Sequence, residues 1–151
     1  VEKEFFHLGK AAAAHFFYKD GALQSSGLYV NQLKDSTWNY YNKDSVLIMS
    51  EQYVKGRLYG TTKTYYYTGK LYEVKNWEEG IEHGEWMQYF MDGTVKMRAF
   101  YHYGMRDGAE VVYHPNGAVY YNGVYMLGEK SGNWDYYTEE GVSDTIMKYN
   151  E

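Results

Sequence analysis

The chain contains no cysteine, which excludes disulfides and thiolate chemistry. No run of about 20 apolar residues occurs, so no segment is long enough to span a bilayer as a helix. A basic stripe is missing too. The 15 Lys and Arg are interspersed with 20 Asp and Glu, for a net charge of −5. That balance argues against a phosphate backbone as partner, and so against nucleic acid; it equally disfavours an anionic membrane surface. Catalytic motifs are lacking as well: there is no Gly-x-Ser-x-Gly elbow, phosphate-binding loop or calcium loop. The five histidines are His7, His15, His83, His102 and His114, and none forms a His-x-x-x-His ligand spacing. His83 and His102 are expected as cross-strand neighbours. The acidic pairs Glu78-Glu79 and Glu139-Glu140 fall at turns and read as solvated charge, because a glycosidase pair needs a deep cleft. These observations read as a non-enzyme with no cofactor and no metal. Finally, Leu, Ile and Val are sparse. The apolar share is 44%, and 20 Tyr, six Phe and four Trp supply much of it. Tyr has an apolar body and a polar tip, which suits a thin structure with little deep interior.

What the chain does have is a period. Thirteen of its sixteen glycines fall into three columns of a 24-residue repeat. The first column is Gly21, Ser45, Gly69, Gly93, Gly117 and Gly141. The second is Gln32, Gly56, Gly80, Gly104 and Gly128, and the third Ser36, Gly60, Gly84, Gly108 and Gly132. Two aromatic columns run in step: Phe17, Tyr41, Tyr65, Tyr89, Tyr113, Tyr137, and Tyr29, Tyr53, Trp77, Tyr101, Tyr125, Tyr149. A fixed period without insertions means one supersecondary unit stacked on copies of itself.

Within one unit, Glu85 to Gly108, the aromatic-rich segment Glu85–Phe90 reads as a strand and Asp92-Gly93 as a tight turn. Thr94–Tyr103 reads as the returning strand, and Gly104 to Gly108 as a second, glycine-bounded turn. A three-residue loop with Gly93 in the left-handed region sets Phe90 opposite Thr94, Tyr89 opposite Val95 and Met87 opposite Met97. The Gly-x-x-x-Gly runs, such as Gly56 to Gly60, are turn glycines in polar surroundings rather than membrane dimer motifs. Helix has little support where glycine recurs so densely. Residues 1–16 form either an N-terminal cap, with a short helix over Glu2–Ala14, or a degenerate first strand. Residues 17–151 form the repeat domain. The predicted fold is all-β: an open, twisted antiparallel meander of about six hairpins.

The pattern Gly-x-Trp-x-x-Tyr-x-x-x-Gly-x-Leu/Val appears as Gly84-Glu85-Trp86-Met87-Gln88-Tyr89 to Gly93-Thr94-Val95, and again from Gly132-Asn133-Trp134 to Gly141. It resembles the MORN-repeat variant family, over roughly Phe17 to Tyr149. The chain departs from that pattern in its Trp column, which reads Ala14, Trp38, Thr62, Trp86, Glu110, Trp134. The resemblance implies an open sheet of successive hairpins. For bacterial members it implies the antitoxin component of a toxin–antitoxin pair; eukaryotic relatives are linked to membrane or protein recognition.

The function expected from this is a non-catalytic scaffold whose ligand is another protein, with a toxin as the sharpest version. The fixed aromatic columns read as a structural ladder. The variable positions Tyr40, Tyr66, Phe90 and Tyr136, with Trp38, Trp86 and Trp134, fall on the face opposite Tyr89 and are the candidates for partner binding. Exposed sheet edges, the C-terminal Ile146–Glu151 above all, offer a route to a homo-oligomer or to a partner's added strand. The alternative is an envelope-associated or secreted structural repeat protein that binds glycan by stacking on Tyr and Trp. A signal ahead of Val1 would place the chain in the envelope or outside the cell; without one it would be cytoplasmic.

Overall fold

The computed structural model describes residues 2–8 and 10–149, with residue 2 and residues 4–8 described by their backbone only. The described chain is all strand and turn. The strands are β1 (Glu2–Leu8), β2 (Ala11–Phe17), β3 (Leu23–Val30), β4 (Leu33–Tyr41), β5 (Leu47–Val54), β6 (Arg57–Tyr65), β7 (Leu71–Glu78), β8 (Ile81–Tyr89), β9 (Val95–His102), β10 (Met105–Arg106), β11 (Gly108–Tyr113), β12 (Val119–Met126), β13 (Glu129–Tyr137) and β14 (Ser143–Tyr149). They follow one another in an open antiparallel meander, with the two-residue β10 off the path beside β9. The choice left open for residues 1–16 resolves to strand, since β1 and β2 pair along their whole length from Glu2↔Phe17 to Leu8↔Ala11. Four consecutive alanines stay extended there because β2 is hydrogen-bonded on both sides, to β1 and to β3. Tertiary pairing overrides helix propensity.

Two kinds of turn alternate. The first is the three-residue loop expected at the Asp-Gly positions. At Phe90 the N–H donates to the Thr94 carbonyl at 2.8 Å, and the Gly93 N–H donates to the Phe90 carbonyl at 2.9 Å. Gly93 sits at φ +94, the left-handed region that closes such a loop. The same pair of bonds closes the loops opened by Tyr18, Asn42, Tyr66, His114 and Thr138. Tyr89 does pair with Val95, but Met87 does not pair with Met97. Gln88 takes that place, because Lys96 bulges out of the returning strand. One extra residue shifts the register by one and flips the side chains beyond it.

The second turn corrects a further expectation. Gly104 to Gly108 is not a loop. The turn is Tyr103-Gly104 alone, with both residues at positive φ, as a two-residue hairpin of the type I′ kind requires. The chain resumes pairing at Met105 and passes Gly108 (φ +108) as a bulge. Asn31-Gln32, Lys55-Gly56, Glu79-Gly80 and Leu127-Gly128 have the same positive φ pair. Each of these turns is tied to an earlier hairpin by a backbone bond. Gly56 N–H reaches the Lys34 carbonyl at 2.7 Å, and Gly128 N–H reaches the Arg106 carbonyl at 2.8 Å.

The chain divides into two compact units, Val1–Leu71 with Trp77–Gly80, and Tyr72–Asn76 with Ile81–Glu151. Each has its core on one face of its strands. In the first unit Ala14, Ser25 and Trp38 are buried; in the second Met97, Ala99, Glu110 and Trp134 are. Pairings such as Ala14↔Gly27, Trp86↔Ala99 and Gln88↔Met97 put these residues on the face of the Trp column. The Tyr29 column shares that face. Tyr29 packs against Trp38 at 4.9 Å, Tyr101 against Trp86 at 5.6 Å and Tyr125 against Trp134 at 5.1 Å between ring centroids.

Candidate functional site

A sheet one layer thick buries an indole only if its own neighbours cover it. At Trp38 a glycine makes the room. The ring lies on Gly27 of the adjoining strand, so closely that a Cβ there would stand 2.2 Å from Trp38 Cδ2. Phe16 and Tyr29 flank it, its Nε1–H donates to the Leu28 carbonyl at 3.0 Å, and the Lys34 ammonium sits 4.6 Å above the ring. Trp38 is 1% exposed as a result.

The same station recurs four repeats later. Trp134 lies on Gly123, again at 2.2 Å from an ideal Cβ, against Tyr125 and under Lys130 at 3.9 Å. It is 0% exposed. At the intermediate tryptophan, Lys75 stands where the glycine would be, and Trp86 stays half-buried. Lys75 then caps the ring at 4.9 Å, and Glu82, in the position of Lys34, pairs with Lys75 at 3.3 Å. Arg106 also lies over the ring, at 5.1 Å. Each of these three indoles is thus capped by a cation of its own unit, a cation–π contact worth about 0.5–2 kcal/mol.

Trp38 and Trp134 are therefore core residues, and their burial leaves no ring face for a partner. Of the other predicted binding residues, Tyr40 joins Trp38 through Lys34, whose Nζ donates to Tyr40 Oη at 2.7 Å. Tyr40 Oη in turn donates to Glu51 Oε2 at 2.7 Å, as Tyr53 Oη does at 2.8 Å. Burial, then the bond to the Glu51 carboxylate, raises both phenols, with Tyr53 pushed up to about 12 and Tyr40 further. Tyr136 joins Trp134 through Tyr121, whose ring lies 5.7 Å from the indole and 5.4 Å from Tyr136. Tyr66 and Phe90 belong elsewhere: each opens a three-residue loop, and Lys96 sits 5.9 Å from the Phe90 ring. His83 and His102 do meet across strands, at 5.2 Å, with Tyr103 at 4.9 and 4.7 Å from the two rings. His7 lies outside the described side chains.

In the second unit the Trp column holds Glu110, 2% exposed. Its carboxylate accepts from Arg106 Nη1 at 2.8 Å and from Tyr121 Oη at 3.0 Å. Arg106 also donates to Tyr125 Oη at 3.1 Å. Every group there has a partner, so the cluster reads as an internal polar replacement for an indole. Burial and then the Glu110 charge hold the Tyr121 phenol well above its ordinary value.

Two open surfaces stand out among the described residues. One is a groove of about 320 Å³ in the first unit, lined by Phe16, Tyr29, Trp38 and Tyr40, with Gln24, Ser25 and Lys34 supplying polar atoms. The other lies at the two-residue turns. Their first position reads Asn31, Lys55 and Glu79, then Tyr103 and Leu127. The last two are 60% and 69% exposed while held at φ +47 and +50. Bulky residues rarely adopt that conformation. Met105 and Met126, also exposed, adjoin them in the chain, and Met105 lies 3.9 Å from the Cβ position of Gly128. In the sequence this patch is a break in the column, Tyr and Leu where the other turns have Asn, Lys and Glu.

At the C-terminal side β14 pairs with β13 and has no second neighbour among the described residues, and Ile146 and Met147 are exposed on it. The last two residues of the predicted edge, 150 and 151, lie outside the described chain.

No known protein-family profile matches the chain, and no curated protein sequence is similar to it. Among solved structures it is similar to a chain of the GtfA/B complex bound to UDP and GlcNAc, at 14% identity and a TM-score of 0.33. The match covers 78% of this chain and 23% of that one, so the chain spans about a quarter of the length of the protein it matches. A likeness this slight carries no argument about fold or function.

Proposed function

We propose that this chain is a non-catalytic repeat scaffold that binds another protein, and that a toxin neutralised by its MORN-like repeats is the sharpest form of that role. The observation that carries the reading is the turn patch of the second unit. Tyr103 and Leu127 are large, apolar, exposed and held in a backbone region that costs about 1–3 kcal/mol for such residues. The turn itself requires neither choice, since Asn, Lys and Glu serve the same position elsewhere in the chain. Exposed apolar groups clustered in this way mark interaction surfaces. The Trp38 and Trp134 rings are consumed by internal packing, which leaves the turns and the groove beside Trp38 as surfaces open to a partner.

The test uses Tyr103→Asn with Leu127→Asn, which removes the apolar tips and suits the left-handed backbone. Immobilised wild-type chain and this variant are compared as bait, and a captured protein is purified and rebound. A protein that binds the wild type at one-to-one stoichiometry, with loss of at least about tenfold in the variant, supports the reading. Equal capture by both baits, or capture by neither, refutes it. The toxin version further requires that the captured protein arrest growth alone and not when co-expressed with this chain.

A further inference from the structure

Two stations of this chain share Gly, Tyr, Lys, Trp and Tyr at matching positions four repeats apart: Gly27, Tyr29, Lys34, Trp38, Tyr40 and Gly123, Tyr125, Lys130, Trp134, Tyr136. They differ where the preceding strand crosses the tryptophan. The second station has Tyr120-Tyr121 and the first has Gln24-Ser25. In the second, the Tyr121 ring rests beside Trp134 and Tyr136. In the first, Ser25 supplies no ring. Its cross-strand partner Phe16, which replaces Val112, leans to 6.1 Å from Trp38 and fills only part of the space. The groove of about 320 Å³ is what remains.

We infer that this groove is a binding site for an aromatic side chain, Tyr or Phe, carried on an acidic segment of a partner protein. Tyr121 is the internal example of how such a ring is held against this constellation. The charge of the partner segment follows from the lining. Lys34 borders the groove, and a second hollow of about 400 Å³ that shares Phe16 and Tyr29 is bordered by Lys3 and Gln32. Among the described residues neither lining contains a carboxylate, and the Glu51 carboxylate is engaged by Tyr40 and Tyr53. An aromatic ring flanked by Asp or Glu would seat its ring between Phe16, Tyr29 and Tyr40 and place its carboxylates toward Lys3 and Lys34. The inference rests on the protein-binding reading and adds a second contact, in the other unit, with a stated chemistry.

The experiment exchanges the differing residues between the stations. Phe16→Val with Ser25→Tyr installs the filled pair that the second station already folds with. The probes are a blocked Asp-Glu-Tyr-Glu-Asp peptide, the same peptide with Ala for Tyr, and a trisaccharide of β-1,4-linked N-acetylglucosamine. Binding is followed by the Trp38 indole resonance and by calorimetry. The inference expects one-site binding of the Tyr peptide to the wild type, with loss of at least about tenfold for the Ala peptide and for the exchanged variant. Converse substitutions, Val112→Phe with Tyr121→Ser, are expected to create a second site. Failure of the wild type to bind the Tyr peptide, or equal binding by the exchanged variant, overturns the inference. Binding of the trisaccharide in place of the peptide, sensitive to the exchange, also overturns it. If a captured partner still binds the exchanged variant but not the Tyr103/Leu127 variant, the protein-binding reading stands and the groove inference alone falls.

Discussion

A methyl group at Gly27 is the smallest perturbation that separates this packing scheme from an ordinary β-sheet. Gly27 is in a strand and does not adopt positive φ, so Gly→Ala there would ordinarily stabilise by about 0.4–1 kcal/mol through the unfolded chain. Here the added Cβ would meet Trp38 Cδ2 at 2.2 Å, Cε2 at 2.3 Å and Cγ at 2.5 Å. Carbon atoms rest at about 3.5–4.0 Å, so the ring must retreat by more than an ångström. The ring atoms concerned are its inner edge, not the tip of a flexible chain, and the ring is tied to the Leu28 carbonyl and capped by Lys34. Overpacking alone costs about 1–3 kcal/mol, and full ejection of a buried Trp about 3–5 kcal/mol. A net loss of about 2–4 kcal/mol is expected, opposite in sign to the ordinary case. In urea this lowers the midpoint by about 1–2 M for a slope of about 2 kcal/mol/M. The decisive arm is the double-mutant cycle. With Trp38→Ala already in place, Gly27→Ala should cost nothing or help, giving a coupling of at least about 2 kcal/mol. A neutral Gly27→Ala, or the same cost in both backgrounds, refutes the claim that glycine holds the indole. Gly123 with Trp134 repeats the test.

Other consequences can be measured independently. Leu127→Asn should raise stability by about 1 kcal/mol, seen as a higher urea midpoint, because Asn tolerates φ near +50 and Leu does not. A lower midpoint would refute the strain assigned to that turn. Glu110→Ala leaves Arg106 and the Tyr121 hydroxyl facing a void and should cost about 3 kcal/mol, while Glu110→Gln should cost less; equal losses would count against a charged pair. Tyr53 has its folded-state value raised from 10.0 to about 12. The folded state therefore holds the proton more tightly, so this stabilisation is complete below pH 10 and is lost as pH rises through about 12. Urea midpoints should fall over that window, less steeply for Tyr53→Phe, and parallel curves would refute the assignment.

Much of the fold was legible because its causes are local. Turn formers ahead of the glycine column Gly21, Gly69, Gly93, Gly117 and Gly141 specify a tight loop between short aromatic-rich strands, and the 24-residue spacing specifies that the loop repeats. The alternation of two turn types was half legible. Gly104 and Gly108 are both glycines at positive φ, yet one completes a turn and the other a bulge, and only strand pairing distinguishes them. The one-residue slip at Lys96 was invisible for the same reason. The candidate site fared worse. Trp38, Trp86 and Trp134 stood out as large aromatics at variable positions, which equally describes a ligand platform and a core.

The sequence by itself determined that this chain is a string of β-hairpins, since turn chemistry and period act between neighbours and need no knowledge of the rest. Only the tertiary structure decided which face is core. Gly27 and Gly123 lie outside the three glycine columns, eleven residues before Trp38 and Trp134, and the register across the strand pair brings each glycine beneath its indole. Close contact between residues that far apart depends on cross-strand register, and register is set by bulges that carry no separate mark in the sequence. Trp38 and Trp134 went inward for that reason, while Tyr103 and Leu127 were left exposed at the turns.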